Sequence, residues 1–151
     1  MEPKDFVPIG EIQLRADDEA SRTVILKETA EADSSLTMIV GESEFLALAK
    51  EKGLVRTPRP LTHELYLHLL SDTDIRFIRV EIHDLREQAY LAAVVYRRGE
   101  EEKRADARPS DALALALHKG IPVWVRKNLL RRELTPEKIS AFRDLIRTVK
   151  F

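Results

Sequence analysis

The sequence predicts a single α+β domain in which a largely antiparallel or mixed sheet packs with about four helices. Three observations lead there. Residues 77–84 alternate strictly, with Ile78, Val80 and Ile82 on one face and Phe77, Arg79, Glu81 and His83 on the other. Two segments, Ser43–Gly53 (SEFLALAKEKG) and Ser110–Gly120 (SDALALALHKG), share seven of eleven positions, and both carry helix starts and stops. No linker or low-complexity tract divides the 151 residues, a length that suits one core.

Taken in order, residues 6–15 and 23–27 read as short strands joined by a charged turn at Asp17-Asp18-Glu19, and Leu36–Val40 is a third strand ending at Gly41. The Ala-Leu alternation of the two repeated segments has a strand's period. Yet Ala and Leu are strong helix formers, and no β-branched residue interrupts either run. Each begins with Ser and an acid, a hydroxyl for the N-cap and a carboxylate for the positive end of the dipole. Each ends in Lys-Gly, a C-terminal stop. They are therefore expected to be helices, apolar nearly all round and so buried. Convergence and duplication of a strand–helix unit both account for the repeat, and duplication puts Glu44 and Asp111 in equivalent places.

A Pro-punctuated loop, Arg56–Pro60, precedes a helix from His63 to about Leu70, with Thr62 as its expected N-cap. A turn over Leu85–Gln88 joins strand 77–84 to strand 89–97, and the tip at 98–102 returns the chain into 103–107 as a meander. Ile121–Val125 has β-branched and aromatic content, with Trp124 expected in the core. Thr135-Pro136-Glu137 opens a last amphipathic helix over 135–150.

Net charge is −1, but residues 1–53 carry 6 basic against 12 acidic groups, and residues 126–151 carry 8 against 3. Such an acidic front and basic end can guide a polyanion, or can simply be a solvated Arg-rich helix. There are no cysteines, which excludes disulfides and thiolate metal sites. No secretory signal or membrane-spanning run is visible, so a soluble cytoplasmic protein is expected. Gly-rich phosphate loops and HExxH or GxSxG motifs are missing from the sequence.

Arg59-Pro-Leu-Thr-His-Glu-Leu65 and Arg108-Pro-Ser-Asp-Ala112 resemble the two signature stretches of the bifunctional nuclease (BFN) domain family. The order of elements across roughly residues 22–130 is also similar. The resemblance implies hydrolysis of DNA and RNA phosphodiester bonds on a compact α+β fold that tends to assemble as oligomers, here most simply a twofold dimer.

Phosphodiester cleavage needs charge neutralised at the phosphate, an activated water and usually a divalent ion, here Mg²⁺ or Mn²⁺, held by carboxylates. Glu44, Asp106 and Asp111 are the acids placed to hold it, with Glu44 and Asp111 also candidate catalytic groups. Arg59 and Arg108 can grip phosphate oxygens bidentately, and the helix starts at Thr62 and Ser110 offer backbone N–H groups to the same anion. His63 can titrate near neutrality as base or acid. Each has a structural counterpart: first-turn acids favour helix dipoles, and Arg108 can pair with Asp111 for stability alone. The residues by themselves define a domain with an Arg–acid pocket, and the resemblance supplies nuclease activity. A non-catalytic anion- or nucleotide-binding regulatory module is the alternative, and an assembly scaffold a third.

Overall fold

The computed structural model describes residues 3–18 and 21–132. The helix expected over 135–150 lies outside them. The described chain runs β1 (Phe6–Pro8), β2 (Glu11–Arg15), β3 (Thr23–Lys27), β4 (Ser34–Ile39), α1 (Glu42–Glu51), α2 (Thr62–Leu70), β5 (Ile75–Arg86), β6 (Ala89–Arg98), β7 (Glu101–Ala107), α3 (Pro109–Lys119), β8 (Val123–Arg126), a 3₁₀ turn (Lys127–Leu129) and β9 (Arg131–Arg132). The α+β class holds. The helix count does not: three α-helices, rather than about four, lie among the described residues.

The strands form two sheets, β1-β8-β5-β6-β7 and β2-β3-β4-β9. Every pairing is antiparallel except β5 with β8, which makes the larger sheet mixed. Residues 6–15 are not one strand. The chain leaves the larger sheet after Pro8 and enters the smaller at Glu11, crossing at Gly10. A Cβ on Gly10 would stand 2.5 Å from the Glu28 carbonyl oxygen, so only glycine allows this close approach. The β5–β6 hairpin turns at Glu87 and Gln88, both with positive φ (49° and 66°), the backbone twist that matches two-residue hairpins.

Strict alternation on β5 fails where the ladder shifts register, between Phe77 and Arg79 and again between Ile82 and Asp84. Between the two shifts the register is regular, and Val80, Glu81 and Ile82 are all buried, so both faces of β5 are covered there. Glu81 is tolerated there because Arg79 Nε (2.6 Å) and Arg104 Nη1 (3.0 Å) donate to its two oxygens. Burial pushes its carboxyl up, but the two guanidinium bonds and charges outweigh this and hold it below the usual carboxylate range. Trp124 is half-buried rather than in the core, because alternation along β8 puts it on the face opposite to the buried Val123 and Val125.

Helix α3 packs on β5 and β6, with α1 and α2 against it. Residues 112–116 of α3 are all buried, whereas α1 buries only Leu48 and Ala49. The expectation that both repeated helices are buried therefore holds for α3 alone: α1 is an outer element, leaning on α3 and β2. The expected caps also move. Helix α1 starts from Gly41, α2 from Leu61 and α3 from Arg108, each with extended ψ and without a side-chain cap bond. Thr62 is thus the first helical residue, and Ser43 and Ser110 lie inside the first turn. Pro109 explains the shift in α3, since its fixed φ suits the first helical position. In α2 the carboxylate of Glu64, at the third helical position, accepts the N–H of the N-cap residue Leu61 (2.9 Å), the back-reaching bond of a capping box.

Candidate functional site

Helices α1 and α3 lie side by side and are bridged at both ends, so they run parallel. At their N-termini Arg108 reaches both acids. Its Nε and Nη2 donate to Asp111 Oδ2 (2.8 Å) and Oδ1 (3.0 Å), and Nη1 donates to Glu44 Oε1 (3.1 Å). The equivalence of Glu44 and Asp111 is thus realised in space: both carboxylates hold one guanidinium. The Asp111 bonds first, then its charge and the Glu44 bond, raise the Arg108 pKa above its already high ordinary value. Gly41 lies directly under the Glu44 carboxylate, where a Cβ would collide with Oε2 and push the acid off its course.

Arg108 stands at the edge of a groove of about 970 Å³. One wall is the end of β4 with Glu44, another the β5–β6 turn region including Tyr90, and the third residues 106–110. Asp106 lines it from the end of β7, exposed, and Ser110 lines it from within the first turn of α3, buried. Glu44, Asp106, Arg108 and Ser110 therefore share one groove, and Asp111 joins them through Arg108.

The other signature goes elsewhere. Arg59, Thr62 and His63 do not line this groove. Arg59 and Thr62 are exposed on the approach to α2, and His63 is buried. The stretch organises the α1–α2 connection. Lys50 Nζ bonds Glu64 Oε1 and Thr57 Oγ1, both at 2.5 Å, and the Thr57 hydroxyl donates to the Arg59 carbonyl at 2.7 Å. The Leu61 N–H first, and then Lys50, hold the Glu64 carboxyl below the usual range.

The three acids expected to hold a metal at the groove do not form one cluster. Glu44 and Asp111 are engaged by Arg108, and among the described residues the set Glu44, Asp106 and Asp111 does not converge to ligating distances. One group does converge, at the opposite ends of the same helices: Glu51 of α1, His63 of α2 and His118 of α3. Glu51 Oε1 is 2.7 Å from His63 Nε2 and 2.8 Å from His118 Nδ1. Sequence reasoning missed this group, whose members lie 12 and 67 positions apart. The one available signal was that Glu51 and His118 occupy the same position of the repeat.

An α+β domain with an Arg-centred acidic groove at paired helix N-termini defines the class. Residues 24–138 match the bifunctional nuclease domain, and the chain belongs to that family. Two proteins of Mycobacterium tuberculosis are each 34% identical to it over 125 residues, covering 81% of this chain and 74% of the relative. They are the "Uncharacterized protein MT1877" of strain CDC 1551 / Oshkosh and the "Uncharacterized protein Rv1829" of strain ATCC 25618 / H37Rv. No helix among the described residues is long and apolar enough to cross a membrane.

Proposed function

We propose that the domain hydrolyses phosphodiester bonds of DNA and RNA with low sequence selectivity, in the groove beside Arg108, in the cytoplasm. The observation that carries this reading is one guanidinium held by two carboxylates at the mouth of a nucleotide-sized groove, in a member of the bifunctional nuclease domain family. A phosphate oxygen pair is a bidentate acceptor like the Asp111 carboxylate, so it can take over Arg108 donors from the acids. The acid released, Glu44 or Asp111, is then free to accept a proton from the attacking water. Ser110, which lines the groove, and the free N–H groups of the α3 start can serve the same anion. Tyr90, half-buried in the groove wall, offers a ring on which a base can stack whatever its identity, which suits low selectivity. Because the groove acids do not converge on a common ion, no step is assigned to Mg²⁺ or Mn²⁺ there.

Purified protein incubated with single-stranded and duplex DNA and RNA, with Mg²⁺ or Mn²⁺ and then with chelator, tests the activity. Arg108→Ala should lower turnover about a hundredfold, about 2.7 kcal/mol of transition-state stabilisation. It should scarcely change Tm, since exposed ion pairs contribute about 1 kcal/mol or less. Asp111→Asn and Glu44→Gln should each reduce turnover. Cleavage that elutes apart from the protein, or that survives Arg108→Ala undiminished, overturns the proposal.

A second reading has its own support. The groove is lined largely by apolar and backbone groups, its size suits a small ligand, and Arg108 is already neutralised. A regulatory nucleotide-binding module would show ligand-dependent Tm shifts with nucleotides and no turnover of any polynucleotide. Assembly as a twofold dimer also belongs to the proposal. Leu65 and Leu69, one turn apart on α2, are 54% and 63% exposed, the kind of apolar surface a partner chain covers. Light scattering that returns a monomer at micromolar concentration removes it.

A further inference from the structure

We infer that Glu51, His63 and His118 form a binding site for a zinc-type transition-metal ion at the junction of the three helices. This goes beyond the phosphodiesterase reading and uses none of the groove residues.

The donor set comes first. Two imidazoles and one carboxylate are the ligand types that suit a divalent transition ion, with zinc's three-ligand sites as the closest pattern. All three donor atoms lie within 4.8 Å of one another. In a tetrahedral site with bonds of about 2.0–2.1 Å, neighbouring ligand atoms stand about 3.3 Å apart. The two contacts of Glu51 need only open by roughly half an ångström from 2.7 and 2.8 Å to reach that spacing. The rings are nearly perpendicular (86°), with centroids 5.9 Å apart, so both can direct a nitrogen at one point without stacking.

The surroundings agree. Glu51 is 11% and His63 8% exposed at the side chain, so two donors are held by packing, while His118 is 35% exposed. The site thus has a rigid interior half and one side open to solvent, where a water can complete four-coordination. Glu51 and His118 sit in the last turns of parallel helices, whose dipoles place negative potential there and favour a cation. As the groups stand, one Glu51 carboxylate oxygen lies within hydrogen-bond distance of a ring nitrogen of each histidine. A divalent ion would replace those two contacts with three coordinate bonds and tie α1, α2 and α3 together.

Seven residues separate Glu44 from Glu51 on α1, a rise of about 10 Å. An ion at Glu51 is therefore too far from Arg108 to share a phosphate with it, and its role is to fix the helix junction beneath the α1–α2 connection.

The full chain, stripped with chelator and dialysed, is titrated with Co²⁺ by visible absorption and with Zn²⁺ by calorimetry. The expected result is one ion per chain, a tetrahedral-type Co²⁺ spectrum displaced by Zn²⁺, and a Tm that rises with Zn²⁺. His118→Asn, on the exposed side, should weaken Zn²⁺ binding at least tenfold while the far-UV spectrum stays native. Glu51→Gln should weaken it further. Glu44→Gln and Asp106→Asn should leave binding unchanged, which separates this site from the groove. No stoichiometric binding, or equal affinity in wild type and folded His118→Asn, overturns the inference whatever the nuclease assay returns.

Discussion

Helices α1 and α3 are written in nearly the same eleven residues, yet one is a surface element and the other the centre of the core. Leu113 is fully buried, whereas Leu46, its counterpart, is 39% exposed. The difference lies in the neighbours rather than in the phrase. Helix α3 is covered by β5 and β6 on one side and by α1 and α2 on the other, while α1 has α3 and β2. An Ala-Leu helix can be buried all round but is not compelled to be, because Leu on an exposed face costs little and small Ala permits close approach wherever a partner arrives. The ends diverge in a parallel way. At the N-termini the equivalent acids Glu44 and Asp111 converge on one cation, Arg108, beside an open groove. At the C-termini Glu51 and its counterpart His118 meet each other and His63 in a largely enclosed junction.

The largest break in this pair is at the core. Leu113→Ala should destabilise the domain by about 2–5 kcal/mol, through lost burial and the cavity left against the sheet. Leu46→Ala, at the same place in the phrase, should cost less than about 1 kcal/mol. Denaturant unfolding of both variants measures the two values. Similar losses would mean that α1 is covered in solution, for instance by a second chain.

That asymmetry marks where sequence ceases to inform. Periodicity and propensity identified the three described helices, the hairpin and most of the strands, since each rests on local chemistry, but not β9 at Arg131–Arg132. Capping was misplaced at all three helices: Gly41, Leu61 and Arg108 precede the first turns, and at α3 the fixed φ of Pro109 takes the first helical position. The split of residues 6–15 between two sheets depends on a close approach of Gly10 to Glu28, a contact no local pattern announces. The Arg108–Glu44–Asp111 group was legible because both acids belong to a repeat and one signature supplies the arginine. The assumption that Arg59 and His63 join it failed, because α2 places its N-terminus by the far ends of α1 and α3.

An intermediate effect sharpens the comparison at Lys50, whose counterpart in α3 is Leu117. Lys50 ties α1 to Glu64, and Glu64 carries a lowered pKa through the Leu61 N–H and then Lys50. A carboxyl lowered on folding adds stability that is present above its unfolded value and is lost as pH falls through the folded one. Wild type should therefore exceed Glu64→Gln by about 1 kcal/mol near neutrality. The gap should close as pH drops below the ordinary carboxylate range of about 4.3. Chemical denaturation at stepped pH reads this directly, and a gap that stays constant to pH 3 would show that Glu64 acts through packing instead of charge.

The smallest effect concerns the feature the two helices share most closely. Gly53 and Gly120 both take positive φ, 75° and 68°, at the ends of α1 and α3, and a Cβ at either would meet nothing within 4 Å. Steric clash therefore contributes nothing, and only the left-handed backbone penalises Ala. That penalty is about 1–2 kcal/mol for a residue with a Cβ. It is partly offset because Ala also restricts the unfolded chain, by about 0.4–1 kcal/mol. Gly53→Ala and Gly120→Ala should each cost about 0.5–1 kcal/mol, and the two costs should agree despite the contrast in burial between their helices. A clearly larger loss at Gly120 would show that the stop of α3 is coupled to β8, which begins three residues later at Val123. Equal losses would establish that the repeat encodes the helix stop locally, while the fold alone decides which helix is covered.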